Sequence, residues 1–508
     1  MKRVVVVGAG VAGLTAAHYL SASGAQVTLL EADHVAGGRL STRERISFEF
    51  AGKSHEFSAE HGVHGVWRSY RNLRRLLDEL GLSSGLVPAK TQELVAVQGG
   101  KIVFPEVGAV LRETLLPTWF SSLALGRHTE FLRTCWESGP AGTLTLLRDL
   151  QRVLAFDLDE DTAAYDALSV SALVRGWPPL VARLFESLTH QAFFDDASNV
   201  SLAAFLQGLS YYVTSDKRNT AFSLFDEASD RALIDPWVNE LRRRGVALQF
   251  GARVTALELA GAAEIAVVAR EMGRFEADAV VLALDPASLA KLLGAEAPRV
   301  LGGARLPQGL PSVVVRFWFR EKPSAERAGC GIFADLPGDN FFWLDRVQRR
   351  FATWARRTGG SVLELHLYGS RARRAVEQDD SVVLQPLRAL VCRVWPELTG
   401  REVHAHVLRN PATHTGLAPG STARAPCVST RVPQLFLAGD FVAPRYPALY
   451  LERATMTGLE AAHHVIALLG LDRRAPPIVP PHGVARSVRV LKPALRRALR
   501  FLPPLRER

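Results

Sequence analysis

The chain has 508 residues, 48% hydrophobic and 22% charged, with a formal net charge of +10 and a mean hydropathy of +0.06. That length exceeds one ordinary domain, so two are expected, and the composition is that of a globular, rather apolar protein. Four scattered cysteines (Cys135, Cys330, Cys392, Cys427) without a CxxC pair exclude a disulfide framework and a zinc site, and fit a reducing cytoplasm.

No apolar window of about 18 uninterrupted residues exists, so no membrane-spanning helix is expected. The opening MKRVVVV is not a secretory signal, because glycines break the apolar run after four valines and no cleavage motif follows. The charge is concentrated at the end. From Leu471 onward ten basic residues face only Asp472 and Glu507, which leaves the body nearly neutral. No nucleic-acid-binding motif accompanies this tail, which argues against such a partner.

In chain order, Val4 to Val7 form a short β-branched run suited to a buried parallel strand. Gly8, Gly10 and Gly13 follow, with Ala12 among them, and then the helix-prone stretch Leu14 to Leu20. Gly8 permits the tight turn, Gly10 the approach of a pyrophosphate, and Gly13 close packing of helix on strand. Gln26 to Leu30 reads as a second strand ending on Glu31, an acid placed to take a ribose hydroxyl pair. Strand, glycine turn, helix and acid together predict a dinucleotide in a Rossmann-type α/β domain.

Gly37, Gly38 and Arg39 come next, too late for the strand and placed for a loop over the pyrophosphate. The run EADHVAGGR resembles the second half of the flavoprotein fingerprint of the amine oxidase and phytoene desaturase superfamily, and this resemblance implies FAD rather than NAD. Ile46 to Phe57 reads as a hairpin, and Asn72 to Leu80 as an amphipathic helix with Leu73, Leu76, Leu77 and Leu80 on one side. Between them, Glu60-His61-Gly62 and His64-Gly65 resemble the acidic, Gly, His pattern near the isoalloxazine of carotenoid desaturases. The string is similar to that of bacterial β-carotene desaturases of the isorenieratene synthase type. His64 is a catalytic candidate on this basis, and Gly62 a cofactor contact.

From Pro88 to Ala228 the α/β pattern gives way to helical patterns that run to Phe225, with Leu115, Leu116, Trp119 and Phe120 in an apolar stretch around Pro117. A lid or membrane-dipping segment is one reading of it, and a buried helix of a substrate domain the other. The α/β pattern returns with a helix over Trp237 to Arg244 and strands over Val246 to Phe250, Ala252 to Leu257 and Ala279 to Leu284. This resembles the returning piece of the superfamily's FAD domain, where Val254 would offer its backbone to the adenine. Ser312 to Phe319 and Ser361 to Tyr368 alternate with period two and predict the substrate-domain sheet, with Arg316 and His366 on its solvent side as the first reading and pointing into an apolar cavity as the other.

Gln434 to Ala438 reads as the last sheet strand, followed by Gly439-Asp440 and a helix rich in small residues, Ala454, Gly458, Ala461 and Ala462. This resembles the C-terminal FAD signature, in which Asp440 would bind the ribityl or phosphate part and the helix N-terminus would face the flavin pyrimidine. No cysteine lies near Ala454, so non-covalent FAD is expected. Arg445, Tyr446 and Tyr450 precede the helix, and Arg445 and Tyr446 join His64 as catalytic candidates at the flavin edge. Pro476 to Pro481 reads as a linker. A basic amphipathic helix follows, with Leu491, Leu495, Ala498, Leu499 and Leu502 opposite Arg489, Lys492, Arg496 and Arg500, a pattern suited to an anionic membrane surface.

The expected architecture is a discontinuous FAD-binding domain (1–87, 233–300, 431–470) interleaved with an α+β substrate domain (88–232, mainly helical, and 301–430), ending in the basic tail 471–508. The resemblance implies an FAD-dependent oxidoreductase that desaturates a carotenoid or related polyisoprenoid, with ring aromatisation as a further possibility and a quinone or oxygen as electron acceptor. It would be cytoplasmic and peripherally membrane-bound. A redox-neutral polyene isomerase and an amine oxidase are the alternatives.

Overall fold

The computed structural model describes residues 2–89, 92–98, 101–103, 136–137, 139–214, 221–260, 264–324, 328–334, 336–482, 486–499 and 505. The apolar stretch 111–125, with Leu115, Leu116, Trp119 and Phe120, lies outside them.

The valine run sits where its chemistry requires. Val4 to Val7 are almost wholly buried in the central strand Arg3–Val7 of a five-stranded sheet, whose order is Ala247–Gln249, Gln26–Leu30, Arg3–Val7, Ala279–Leu282 and Leu435–Leu437. Every pairing in it is parallel, so both faces carry helices and no face is left for polar alternation. Helix Val11–Ala22 packs against helix Tyr450–Leu469, and Gly458 makes this possible, since a Cβ there would stand 2.3 Å from the Ala12 carbonyl oxygen. Three distant segments therefore build one layer.

A three-stranded antiparallel sheet (Val254–Ala260, Glu264–Ala269, Gly273–Ala277) is attached. Only its first strand was read from the sequence; the second, Glu264–Ala269, carries Ile265, Val267 and Val268 and the β-branched signal that goes with them. The stretch expected to be helical as far as Phe225 ends differently: Phe222–Phe225 is a strand, paired with Gly65–Trp67 on one side and Leu86–Pro88 on the other. Four residues are too few for period two to stand out.

The larger sheet has seven strands in the order Glu402–Thr415, Gly309–Phe319, Ser361–Leu367, Asn340–Trp343, Cys330–Phe333, Gln92–Gln98 and Lys101–Val103. One face, with Val313, Val315, Phe317, Leu363 and Leu365, packs on helix Asp380–Val394. The other carries Trp318 and Val362 and is covered by the hairpin Thr42–Phe50/Lys53–Glu60 through Ile46 and Phe57. Beside the sheet, helices Pro140–Ala155, Leu158–Asp166, Val170–Val174, Pro179–Phe193 and Leu202–Leu209 share a core that includes Trp177, Phe185 and Phe205.

A charged cluster ties this helical layer to the sheet. His190 Nε2 lies 3.0 Å from Asp196 Oδ1 and Nδ1 lies 3.3 Å from Asp339 Oδ1, while Arg371 Nη1 donates to Asp339 at 2.6 Å. Burial disfavours the imidazolium, but the hydrogen bonds to Asp196 and Asp339 outweigh it and raise the pKa from 6.5 to about 9. A raised folded-state pKa contributes stability that is complete below the unfolded value and disappears as pH climbs through the folded one. Chemical denaturation should therefore show a loss on the order of 2–3 kcal/mol between pH 6.5 and 9.5. His190→Gln should flatten that slope, and an unchanged slope in the variant would refute the assignment.

The linker is not loose. Asn72 exchanges hydrogen bonds with Val479, at 2.9 Å to its carbonyl and 2.8 Å from its N–H, and Arg71 and Arg75 donate to the carbonyls of Pro480 and Pro477. The C-terminal helix Arg486–Leu499 lies on helix Pro140–Ala155. Lys492 pairs with Asp157 at 2.7 Å and Arg496 with Asp161 at 2.6 Å. Among the described residues, no helix is long and apolar enough to cross a membrane.

Candidate active site

The nucleotide turn is shaped by what its glycines exclude. Gly8 has φ +100°, and a Cβ there would fall 2.4 Å from the Ala283 carbonyl oxygen; a Cβ on Gly13 would fall 1.9 Å from that of Gly8. Around Gly10, by contrast, an added Cβ meets nothing within 4 Å. Gly10 is also the N-cap of helix Val11–Ala22, without a side-chain cap, so the first-turn N–H groups, that of Ala12 included, have no side-chain acceptor. An open approach at an uncapped helix N-terminus suits a phosphate.

The predicted partners gather around this turn. Glu31 accepts from the Ala9 N–H at 2.7 Å and from the Asp33 N–H at 2.9 Å, which fixes its carboxylate at the lip. The Ala252 N–H donates to the Glu31 carbonyl at 2.7 Å and brings the start of strand Val254–Ala260 to the same edge. Gly37 (φ +114°) donates its N–H to the Ala9 carbonyl at 2.8 Å, and a Cβ on Gly38 would lie 3.4 Å from the Gly10 Cα. Arg39 pairs with buried Asp440 at 2.8 Å, and the Thr415 hydroxyl donates to Asp440 at 3.0 Å. Gly439 (φ +150°) is anchored by its N–H to Thr457 Oγ1 at 3.0 Å.

The Glu60-to-His64 loop is held on both sides. Glu60 is buried and accepts from Ser229 N–H at 2.8 Å and Gln348 Nε2 at 2.9 Å, so it is a joint between segments. Gly62 holds φ +135°, a conformation side-chain residues rarely adopt, and a Cβ there would press on the His366 ring at 3.1 Å, while the Val63 N–H donates to Glu364 Oε1 at 2.8 Å. His64 is pushed down to about 4, first by burial and then by the Arg39 guanidinium and His366. It is a neutral and weak base at physiological pH.

The other two catalytic candidates stand elsewhere. Arg445 is exposed and its guanidinium lies over the Tyr446 ring; its N–H donates to Glu460 at 3.3 Å. Glu460 is ten residues into helix Tyr450–Leu469, roughly 15 Å from its start, so the loop doubles back along the helix and carries Arg445 away from the N-terminal end. Tyr446 packs on the nucleotide-domain core.

The expectation that Arg316 and His366 face solvent is also overturned. Arg316, Glu364 and His366 are 2%, 0% and 3% exposed. Arg316 Nε donates to Glu364 Oε2 at 2.5 Å and Nη1 to the Ser58 carbonyl at 2.6 Å. His366 bridges Glu364 Oε1 and the Tyr368 hydroxyl, each at 2.6 Å. These groups do occupy one strand face, but the hairpin and the Gly62 loop cover it.

An aromatic cluster lies beside these groups. Phe194 ring centroids lie 4.7 Å from Tyr368, 4.6 Å from His414 and 5.1 Å from Tyr450. Phe194 (φ 59°) and Tyr450 (φ 52°) both hold left-handed backbone, which costs on the order of 1–3 kcal/mol each in a residue with a side chain. Tyr450 is the first residue of the helix that follows Asp440.

The profile of the flavin containing amine oxidoreductase family matches residues 11–466. The chain belongs to this family. As a flavin amine oxidoreductase it is an FAD-dependent oxidoreductase, and the open turn at Gly10, the uncapped helix and the Arg39–Asp440 corner fit that cofactor. This family member is 28% identical to a carotenoid phi-ring synthase of Streptomyces griseus, covering 96% of this chain and 92% of that one. It is 24% identical to one of Chlorobaculum tepidum, covering 95% and 91%. Among solved structures, cyclohexylamine oxidase from Brevibacterium oxydans superposes with a TM-score of 0.65 at 17% identity, over 93% of this chain and 100% of that one, which shows a shared fold.

Proposed function

We propose that this oxidoreductase desaturates a carotenoid or related polyisoprenoid, and that ring aromatisation accompanies desaturation. The observation that carries the reading is the near full-length likeness to two carotenoid phi-ring synthases, supported by the aromatic cluster of Phe194, Tyr368 and Tyr450 beside the flavin segments. Bound FAD supplies the acceptor for a hydride leaving an allylic C–H. Gly8, Gly10, Ala12, Gly13, Gly38 and Arg39 would hold the pyrophosphate side, Glu31 the adenosine ribose, Val254 the adenine by its backbone, and Gly62, Gly439 and Asp440 the isoalloxazine and ribityl side. The aromatic cluster orients the polyene and keeps water from the reacting carbon.

Anaerobic mixing of holoprotein with β-carotene in micelles should bleach the flavin absorbance, with products of altered chromophore on chromatography and recovery of colour on adding a quinone or oxygen. Bleaching by primary amines and not by polyenes would overturn the reading in favour of an amine oxidase.

We also infer that the outer face of the C-terminal helix, with Val490 70% exposed and Arg497 exposed, meets an anionic membrane, while Lys492 and Arg496 hold the helix on the protein. Deleting residues 487–508 should reduce co-sedimentation with phosphatidylglycerol vesicles and leave the flavin colour intact. Equal sedimentation of both proteins would remove this role.

A further inference from the structure

We propose that Tyr368, His366 and Glu364 form the proton acceptor of the desaturation, with the Tyr368 hydroxyl as the group that meets the substrate. This rests on the polyene reading above, and it concerns the second hydrogen, which leaves as a proton.

The three residues alternate along the strand and its first following residue, so they share one face. The order of hydrogen bonds along that face gives the chain a direction. Glu364 accepts from Arg316 Nε at 2.5 Å and from the Val63 N–H at 2.8 Å. A carboxylate receiving these donors, one of them cationic, is ionised despite its burial. His366 Nε2, 2.6 Å from Glu364 Oε1, must then carry the hydrogen, which leaves Nδ1 as a lone pair. The Tyr368 hydroxyl, 2.6 Å away, donates to it. Each link is arranged to draw a proton from the Tyr368 oxygen inward, and the imidazolium that results would rest against a carboxylate.

The place of this chain supports the role. His366 abuts Gly62, where a Cβ would lie 3.1 Å from its ring. Tyr368 packs on Phe194, which touches His414 and Tyr450, and the residue after His414 is Thr415, the donor to Asp440. Tyr368 and His366 thus stand between the two segments that carry the flavin signatures. His64, the other imidazole near this loop, is too weak a base at about 4 to accept a proton efficiently near neutrality. Nor does the fold need the outer links: Arg316, Gln348 and the packing of Ile46 and Phe57 already fasten the hairpin to the sheet, and an apolar pair at 366 and 368 would spare the desolvation of three polar atoms.

The balance is as follows. Bound flavin would take one hydrogen of the polyene as hydride, and the C–H bond on the adjacent carbon would then break. Its electron pair becomes the new π bond, and its proton passes to the Tyr368 oxygen while the phenol's own proton passes to His366 Nδ1. The imidazolium returns its proton to solvent when product leaves.

Two measurements test this. In resting protein labelled with ¹⁵N-histidine, with His366 assigned by its absence in His366→Gln, the resonances should show Nδ1 unprotonated and Nε2 protonated; the opposite tautomer overturns the proposal without any substrate. Tyr368→Phe should keep its FAD and melting temperature, while polyene-dependent flavin bleaching at saturation falls roughly 10²-fold or more with half-saturation unchanged. Bleaching at the wild-type rate overturns the proposal. If wild-type protein with the expected tautomer is bleached by no polyene, the parent reading falls, and the catalytic role of Tyr368 falls with it.

Discussion

Gly10→Trp protein is expected to fold normally and to purify colourless. The reason is the asymmetry among the glycines of the first turn. Gly10 has φ −75° and open space around the missing Cβ, so a side chain can start there without backbone strain, and an indole would occupy the approach to the helix N-terminus that the pyrophosphate would use. Gly13→Val places its Cβ 1.9 Å from the Gly8 carbonyl oxygen, a backbone atom that cannot move without separating helix from strand. The first variant should match wild-type apoprotein in thermal midpoint and retain no flavin absorbance, whereas the second should be poorly soluble. Full flavin occupancy in Gly10→Trp would mean that the dinucleotide does not lie over this turn.

The second large effect is expected at the buried ion pair. Arg316→Met should destabilise the fold by about 3–5 kcal/mol, because Glu364 would be left charged and buried without its guanidinium partner. The double variant Arg316→Met/Glu364→Leu should be less damaged than Arg316→Met, since it removes both charges and leaves apolar bulk between hairpin and sheet. Denaturant titrations of the three proteins decide the matter. If the single variant is as stable as wild type, the pair contributes nothing net; if the double variant is the worst of the three, the damage lies in lost shape rather than in a stranded charge.

The nucleotide half of the site was legible because its chemistry is local. Gly8 and Gly37 hold positive φ and Gly13 has no room for a Cβ, so these positions admit few other residues and the spacing advertises the geometry. Glu31 and Asp440 each follow a strand end, where the chain itself fixes the side chain's place. The substrate half depends on contacts that no window reveals. Period two gave Arg316 and His366 as polar positions on their strands but did not say what covers that face, and the cover is a hairpin some 300 residues earlier, followed by the Val63 N–H that donates to Glu364. Phe194 is an aromatic residue in a left-handed cap, a role that glycine usually signals. Arg445 shows the converse limit: it stands just before the helix start in sequence, yet its N–H donates to Glu460, well along the helix, a path that no local pattern gives.

The five-stranded sheet is laid down by segments some 400 residues apart, and its outer strand Leu435–Leu437 and the helix beyond it come last. A growing polypeptide still on the ribosome therefore has the phosphate-binding turn early but lacks Asp440 and its neighbours until some 400 further residues have been added. Cofactor capture at the complete site must wait for that segment, and until it arrives the valine-rich strand edge is open to wrong partners. In a recombinant host, yield should be governed by flavin supply and chaperone capacity more than by the stability of the finished protein.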